Sequence, residues 1–292
     1  MASISIETKK VSELTALTTP ANANLIPIHD GSALKKITFQ NLQTAMLAPV
    51  REEVSPLLYN NAGAHNAIYR GKNLGTGVTA AQWAAIAAGT FVDMYIGDYW
   101  VISGVTWRIA AFDYYYKTGD TACMTHHVVI VPDTNLYTHV MNDTNTTEGA
   151  YVNSKMYTEG LEQAKTTIKA AFGESHILNH RQLLQNAVTS GRPSGHAWYD
   201  SEVELMTEQN VYGCKIFGSM PDGVTIGYNY TVDKSQYPLF AHDPSMISNR
   251  AWFWLRDVVS AARFAYVSGN GNAHCDNASS ADGVRPAFSI KS

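Results

Sequence analysis

The chain has 292 residues, 45% of them hydrophobic, enough to bury a sizeable core as one large domain or as a domain with an appendage. A net charge of −4 with no long basic run leaves no electrostatic footprint for nucleic acid, so no nucleic-acid partner is expected. No apolar run approaches the ~18 residues of a membrane-crossing helix, the polar start MASISIETKKVSEL lacks a signal core, and Cys123, Cys214 and Cys275 fit neither a disulfide framework nor a zinc motif.

The first segments are short. Leu25 to Ile28 and Leu34 to Ile37 flank the turn His29-Asp30-Gly31-Ser32, a hairpin signal. A helix is predicted from Thr38 or Phe39, with apolar positions Phe39, Leu42, Met46, Val50, Val54, Leu57 and Leu58, and with breaks or kinks at Pro49 and Pro56. Its stripe must bury itself, either on the following domain or in a short helical stalk between copies. The linker Asn60 to Ala64 then divides an arm, residues 1–60, from a body, residues 61–292.

In the body, Thr79 and Gln82 have capping-box spacing ahead of an Ala-rich helix that Gly89 ends. Tyr99 to Ile102, Ser103-Gly104 and Val105 to Phe112 read as a hairpin, and Val128 to Val131 as a strand closed by Pro132. One helix is predicted on Leu161, Ala164, Ile168, Ala171 and Phe172. Another is predicted from Asn179, capped by Gln182 and carrying Leu183, Leu184, Ala187 and Val188. A third is predicted from Ser201, with Glu204 at the capping-box position, to Gly213. Beyond it the chain is turn-rich and aromatic, through Met220-Pro221-Asp222-Gly223, Tyr228, Tyr230 and Tyr237-Pro238. The fold class is therefore α+β.

The candidates for chemistry are weak. His176 and His180 have helix-face spacing, but Ile177 stands where a zinc protease needs Glu, and Asn179 starts a new element between them. His126 and His127 alternate across a strand and cannot chelate together. Glu204 and Glu208 could flank a sugar as glycosidase carboxylates do, but capping explains Glu204, and Glu208 reads as an exposed turn residue. No nucleophile elbow, phosphate loop or dinucleotide fingerprint occurs. No enzyme activity, metal site or cofactor is expected.

The stretch Val258 to Gly283, VVSAARFAYVSGNGNAHCDNASSADG, is different in character. It contains no Lys, Glu, Gln, Met or Trp. Ser, Asn, Gly, Ala and Asp dominate it, with single Tyr, Phe, His, Arg and Cys residues, the palette of a binding loop. Its flanks, Trp252 to Asp257 (WFWLRD) and Gly283 to Phe288 (GVRPAF), are anchoring sequences. Arg256 beside Asp257, and Arg285 before Pro286, are expected to tie structure beneath the loop, and Trp252, Phe253 and Trp254 to lie in the core.

WLRD, then SGNGNAHCDNASSADG, then GVRPAF resembles the C-terminal variable region of proteins diversified by retroelements, C-type-lectin-like domains related in fold to the formylglycine-generating enzymes. In that family AAY codons become NNY codons, which cannot encode the five missing residue types. KKVSEL, NLIPIHDG and LKKITFQNL are similar to virion-attachment ends of phage tail fibres, and IGDYW, VTWRIAAFDYY and VELMTEQNVYG resemble gut-phage tail proteins. The resemblance implies a virion-located phage tail fibre or tail-tip adhesin. Its arm would dock on other tail proteins, homotrimer being the commonest arrangement, and its lectin-like body would bind a host-cell surface protein or glycan without inserting in the membrane. It implies exposed variable positions at Ser260, Arg263, Phe264, Tyr266, Ser268, Asn270, Asn272, His274, Cys275, Asp276, Ser279, Ser280 and Asp282. Trp252, Trp254, Arg256 and Arg285 would be the scaffold, and Ala265, Gly271, Ala273 and Ala278 backbone supports. The enzymes of this fold need an active-site cysteine pair, which Cys123, Cys214 and Cys275 do not offer. A structural tail or baseplate component and a tailspike depolymerase are the alternatives.

Overall fold

The computed structural model describes residues 21, 23–29, 34–54, 59–218 and 235–292. The turn at Asp30 to Ser32, the helix positions Pro56 to Leu58, and the turn and tyrosines between Met220 and Tyr230 lie outside the described residues, as does the polar start. The chain divides into two compact units, Met1–Tyr59 and Asn60–Ser292.

In the first unit, β1 (Leu25–His29) and β2 (Leu34–Thr38) pair antiparallel, with Leu25 opposite Thr38. Helix α1 (Phe39–Val54) follows at once, and the Thr38 hydroxyl accepts from the Asn41 amide at 3.1 Å. Of the break or kink expected at Pro49, no break occurs: the helix continues to Val54. The carbonyl that Pro49 cannot serve belongs to Ala45, on an exposed stretch where water can take its place. Met46 on this helix is 67% exposed.

The second unit is mixed helix and sheet, as the α+β reading expects. Its capping box forms: the Gln82 amide donates to the Thr79 hydroxyl and the Thr79 amide to the Gln82 side chain. This opens α3 (Ala80–Ala87), after the single turn α2 (Ala62–Asn66). Strands β3 (Tyr99–Ile102) and β4 (Val105–Phe112) join through Ser103 and Gly104, both at positive φ, which is the hairpin turn whose twist matches its strands. Strands β5 (Val128–Pro132) and β6 (Tyr137–Val140) follow. Helix α4 (Leu161–Phe172) buries Leu161, Ala164, Ile168 and Phe172, one helical face.

The helix predicted from Asn179 is instead strand β7 (His180–Thr189), paired along its length with β8 (Arg192–Ser201) around a Ser190-Gly191 turn at positive φ. Leu183, Leu184, Ala187 and Val188 suited either period. The alternating burial of His180, Gln182 and Leu184 shows which one packing selected. The helix predicted from Ser201 is also corrected. Val203–Leu205 is strand β9, and helix α5 (Glu208–Tyr212) starts only after Thr207, in a capping box with Asn210, ending at left-handed Gly213. The Ser201 hydroxyl does reach Glu204, at 2.5 Å, but across a strand end. A short helix α6 (Pro238–His242) precedes the C-terminal strands, its proline at the one position where a missing N–H costs nothing.

Strands β10 (Phe253–Val258), β11 (Arg263–Val267), β12 (Ala273–Asn277), β13 (Ala281–Val284) and β14 (Pro286–Ile290) complete two five-stranded sheets. One runs β12-β11-β10-β13-β6, the other β3-β4-β5-β14-β9. Trp107, Ile109, Val129 and Phe288 of the second share a buried cluster with Phe253, Leu255, Ala265 and Val267 of the first. Arg285 stands where the chain passes from one sheet to the other, fully buried. Its guanidinium donates to the carbonyls of Pro132 (2.8 Å), Met246 (3.0 Å) and Ile247 (3.1 Å), and it lies 5.1 Å from the Phe253 ring. Burial pushes its pKa down to about 10, so it stays charged at neutral pH.

Candidate functional site

The candidate site is built on β10, β11 and β12. All six residues of β10 are buried because both of its faces are covered. Phe253 and Leu255 enter the main core, while Trp254 and Val258 join a second cluster with Phe264, Tyr266, Leu184 and Leu205. The antiparallel register sets Tyr266 opposite both Trp254 and His274, and Phe264 opposite Asp276. Strand alternation then places Tyr266, Phe264, His274 and Asp276 on one face.

Of the sequence-predicted positions, Arg263, Asn270, Asn272, His274 and Ser279 are exposed, and Ser260, Ser268, Cys275, Asp276 and Ser280 are half-buried. Three expectations of exposure are corrected. Phe264 is fully buried, because Trp254, Val258 and Ala278 close over it in the second cluster. Tyr266 shows only 7% and Asp282 only 6% of its surface. The scaffold is corrected at one residue: Trp252 is 53% exposed and belongs to the face, whereas Trp254, Arg256 and Arg285 are buried. Ala265 and Ala278 are buried supports, Ala273 is half-buried, and Gly271 takes a positive φ that suits glycine.

Arg256 and Asp257 do not form a pair, since neighbours on a strand point to opposite sides. Arg256 donates to the Gln182 side chain at 2.6 Å, and its Nη1 lies 4.0 Å from Glu204 Oε2. Asp257 accepts from the Glu208 amide at 2.7 Å, and burial pushes its pKa up to about 6. Glu208 is not an exposed turn residue. Fully buried, it accepts from the amides of Ile216 (2.8 Å), Phe217 (2.9 Å) and Gly218 (2.8 Å), a cradle of successive N–H groups holding one carboxylate. Glu204 is buried as well, and burial raises its pKa. Both carboxylates are therefore buried rather than exposed.

By fixing that loop, Glu208 carries onto the face a residue the sequence reading missed. The Phe217 ring, 41% exposed, stacks on His274 at 5.7 Å. His274 lies 5.3 Å from Tyr266, and Tyr266 lies 5.7 Å from Trp252. Four rings from four chain segments thus form a continuous row. Asn145 was missed too: it accepts from the Ser279 hydroxyl at 2.6 Å and pins the β12–β13 turn. No local pattern marks either residue on the face, because His274 lies 57 positions from Phe217 and Ser279 134 positions from Asn145.

Elsewhere, His176 stacks on Trp83 at 4.0 Å while His180 is buried in β7 with its pKa pushed down to about 3 by burial, so the two share no helix face. His126 contacts Asp113 Oδ2 at 2.7 Å, and His127 Nδ1 approaches the Thr125 carbonyl at 2.9 Å. Among the described residues, no group of three or more His, Cys, Asp or Glu is placed to hold a metal ion. A cleft of about 450 Å³ between the 121–125 loop and the start of β7 is lined by Cys123, His180, Arg181 and Asp200, and shares no residue with 258–283.

One protein-family model matches the chain: Domain of unknown function (DUF6273), over residues 197–292. The matched stretch runs from within β8 to the C-terminus and contains the whole candidate face. No curated protein and no solved structure matches.

Proposed function

We propose that this chain is an adhesin of a phage tail fibre or tail tip, which binds a host-cell surface receptor through the face built from residues 258–283. The observation that carries the reading is the contrast between that face and its support. Arg263 and His274 are exposed on β11 and β12, and Asn270, Asn272 and Ser279 are exposed in the turns that follow those strands, while β10, paired with β11 in the same sheet, is buried at every residue. Such a frame tolerates substitution on the face, which is what a diversified binding surface requires. Recognition here needs no chemical step: ring area supplies contact, and Ser and Asn supply adaptable hydrogen bonds.

We read the body as C-type-lectin-like, supported by the return of the last strand, β14, into the middle of a sheet begun by β3, β4 and β5. The arm, residues 1–60, is assigned to docking on other tail proteins and to homotrimer formation, a role that suits the exposed Met46 of α1. Several copies on one virion would convert weak single contacts into stable attachment. Among the described residues no helix is long and apolar enough to cross a membrane.

The test is binding of the labelled full-length chain to a panel of bacterial isolates. It is compared with an Arg263→Ala, Asn272→Ala, His274→Ala triple variant. Loss of cell binding with an unchanged melting curve is the expected result. Undiminished binding, or a face protected from hydrogen exchange in the assembled particle, would instead make the chain a structural tail component.

A further inference from the structure

The edge of a β-sheet presents a row of N–H and C=O groups to which another strand can add, and two edges here are closed in different ways. Along β3 the chain itself covers the edge. The Tyr99 amide donates to the Lys72 carbonyl (3.0 Å), the Leu74 amide to the Tyr99 carbonyl (2.7 Å), and the Val101 amide to the Gly75 carbonyl (2.9 Å). On β12 none of the described residues adds such a segment, and the sheet order ends there. The register shows which of its groups face outward. The Ser268 amide donates to the Asn272 carbonyl and the Ala278 amide to the Ala262 carbonyl, one at each end of the β11–β12 pair. Bonded pairs recur at every second residue of an antiparallel ladder, so Tyr266 with His274 and Phe264 with Asp276 are the bonded pairs between them. Ala273, Cys275 and Asn277 therefore turn their backbone groups away from β11.

Most of those outward groups are engaged locally, and two neighbouring side chains do the engaging on β12. The Asn277 amide donates to Asp276 Oδ1 at 2.7 Å, and the Asn277 carbonyl accepts from the Ser280 amide at 2.9 Å. His274 Nδ1 lies 2.9 Å from the Cys275 nitrogen and 3.0 Å from the Cys275 oxygen. Without a proton this nitrogen accepts from the amide, and with one it donates to the carbonyl, so the ring engages Cys275 in either state. An incoming strand must displace both side chains before it can pair beyond Ala273.

We propose that His274 and Asp276 guard the outer edge of β12 against strand addition by a second copy of this chain. A second copy is the occupant excluded because two β12 edges are self-complementary. Paired antiparallel about Cys275, each Cys275 meets its own counterpart and each Ala273 meets Asn277, with outward groups facing one another. The guard holds whatever the face binds, and so goes beyond the adhesin reading. It also sets a limit on the face. Positions 274 and 276 must keep a side chain that can hydrogen-bond the next residue's backbone, a duty Asn272 does not share.

Sedimentation velocity of the full-length chain over a range of concentrations tests this, with the three cysteines kept reduced. The parent is compared with a His274→Ala, Asp276→Ala variant. At the highest concentration the variant's weight-average mass should exceed the parent's at least about twofold, since each opened edge takes one other. A His274→Asn, Asp276→Asn variant keeps an acceptor at each position and should sediment as the parent does. Adding Cys275→Pro to the alanine variant should restore the parent's mass, because proline removes an outward N–H without costing a bond to β11. Hydrogen exchange gives a second reading that needs no proline. The Cys275 and Asn277 amides should lose protection in the dilute alanine variant and regain it as that variant assembles. The proposal is overturned if the alanine variant keeps the parent's mass, or if the asparagine variant assembles as readily. It is equally overturned if assembly protects other amides and leaves these two exchanging.

Discussion

Strands β10 and β12 lie in the same sheet, separated only by β11, yet they meet different physical demands. On β10 every side chain is buried, and each one is committed to a cluster or to a polar partner. On β12, at the sheet's edge, His274 is exposed and the other four residues are half-buried. A central strand is pressed between layers on both faces, so its sequence is dictated twice. An edge strand is constrained mainly through its backbone ladder, which any side chain except proline can satisfy. The difference teaches that exposed and fully buried residues can stand about 10 Å apart in one sheet, at strand spacings of about 5 Å, provided the exposed residues lie at its edge.

Substitutions can break that comparison, beginning with the residue that lies on the wrong side of it by sequence. Phe264→Ala should destabilise the body by about 3–5 kcal/mol in chemical denaturation, since it empties a fully buried site. A loss below about 1 kcal/mol would return Phe264 to the exposed face. Arg285→Met comes next, at about 3 kcal/mol, because three carbonyls lose their donor where the two sheets join.

A smaller effect is expected from pH. Burial, reinforced by Asp276, pushes Asp282 from its ordinary 3.8 up to about 6. The folded chain therefore holds this proton more tightly than the unfolded chain does. Ionisation of Asp282 weakens the fold as pH rises between those two values, and the penalty is complete above about 6. Asp282→Asn should match the parent near pH 4 and exceed it at pH 7 by about 1 kcal/mol, a figure reduced for screening at the rim of the face. A parent protein equally stable or more stable at pH 7 would show that Asp282 has a partner after all. The smallest effects belong to the edge: Arg263→Ala and Asn272→Ala should each shift stability by no more than about 0.5 kcal/mol. A larger loss at either would place it in the frame.

Much of the fold was legible where the signal is local. Thr79 with Gln82, Ser103-Gly104 between two β-forming runs, and Gly89 after an alanine-rich segment each depend on hydrogen bonds or backbone angles within a few residues. The α4 stripe was legible for the same reason, since a helix shows its buried face in its own spacing. Legibility fell where two periods fitted one segment. Leu183, Leu184, Ala187 and Val188 could line a helix or a strand, and the Ser190-Gly191 turn settled the matter by bringing β8 alongside. The site was legible as a stretch but not residue by residue.

Composition alone marked 258–283 as unlike the rest of the chain, and its flanks as anchors, because residue type records what a segment must tolerate. Which of its side chains reach solvent was decided by layers built elsewhere. Phe264 is hidden because Leu184 of β7 and Leu205 of β9 share its cluster, and Phe217 joins the face because buried Glu208 holds its backbone. Trp252 stays out because it precedes the buried run of β10. Burial is a property of what lies opposite, and what lies opposite is set by contacts between residues tens of positions apart.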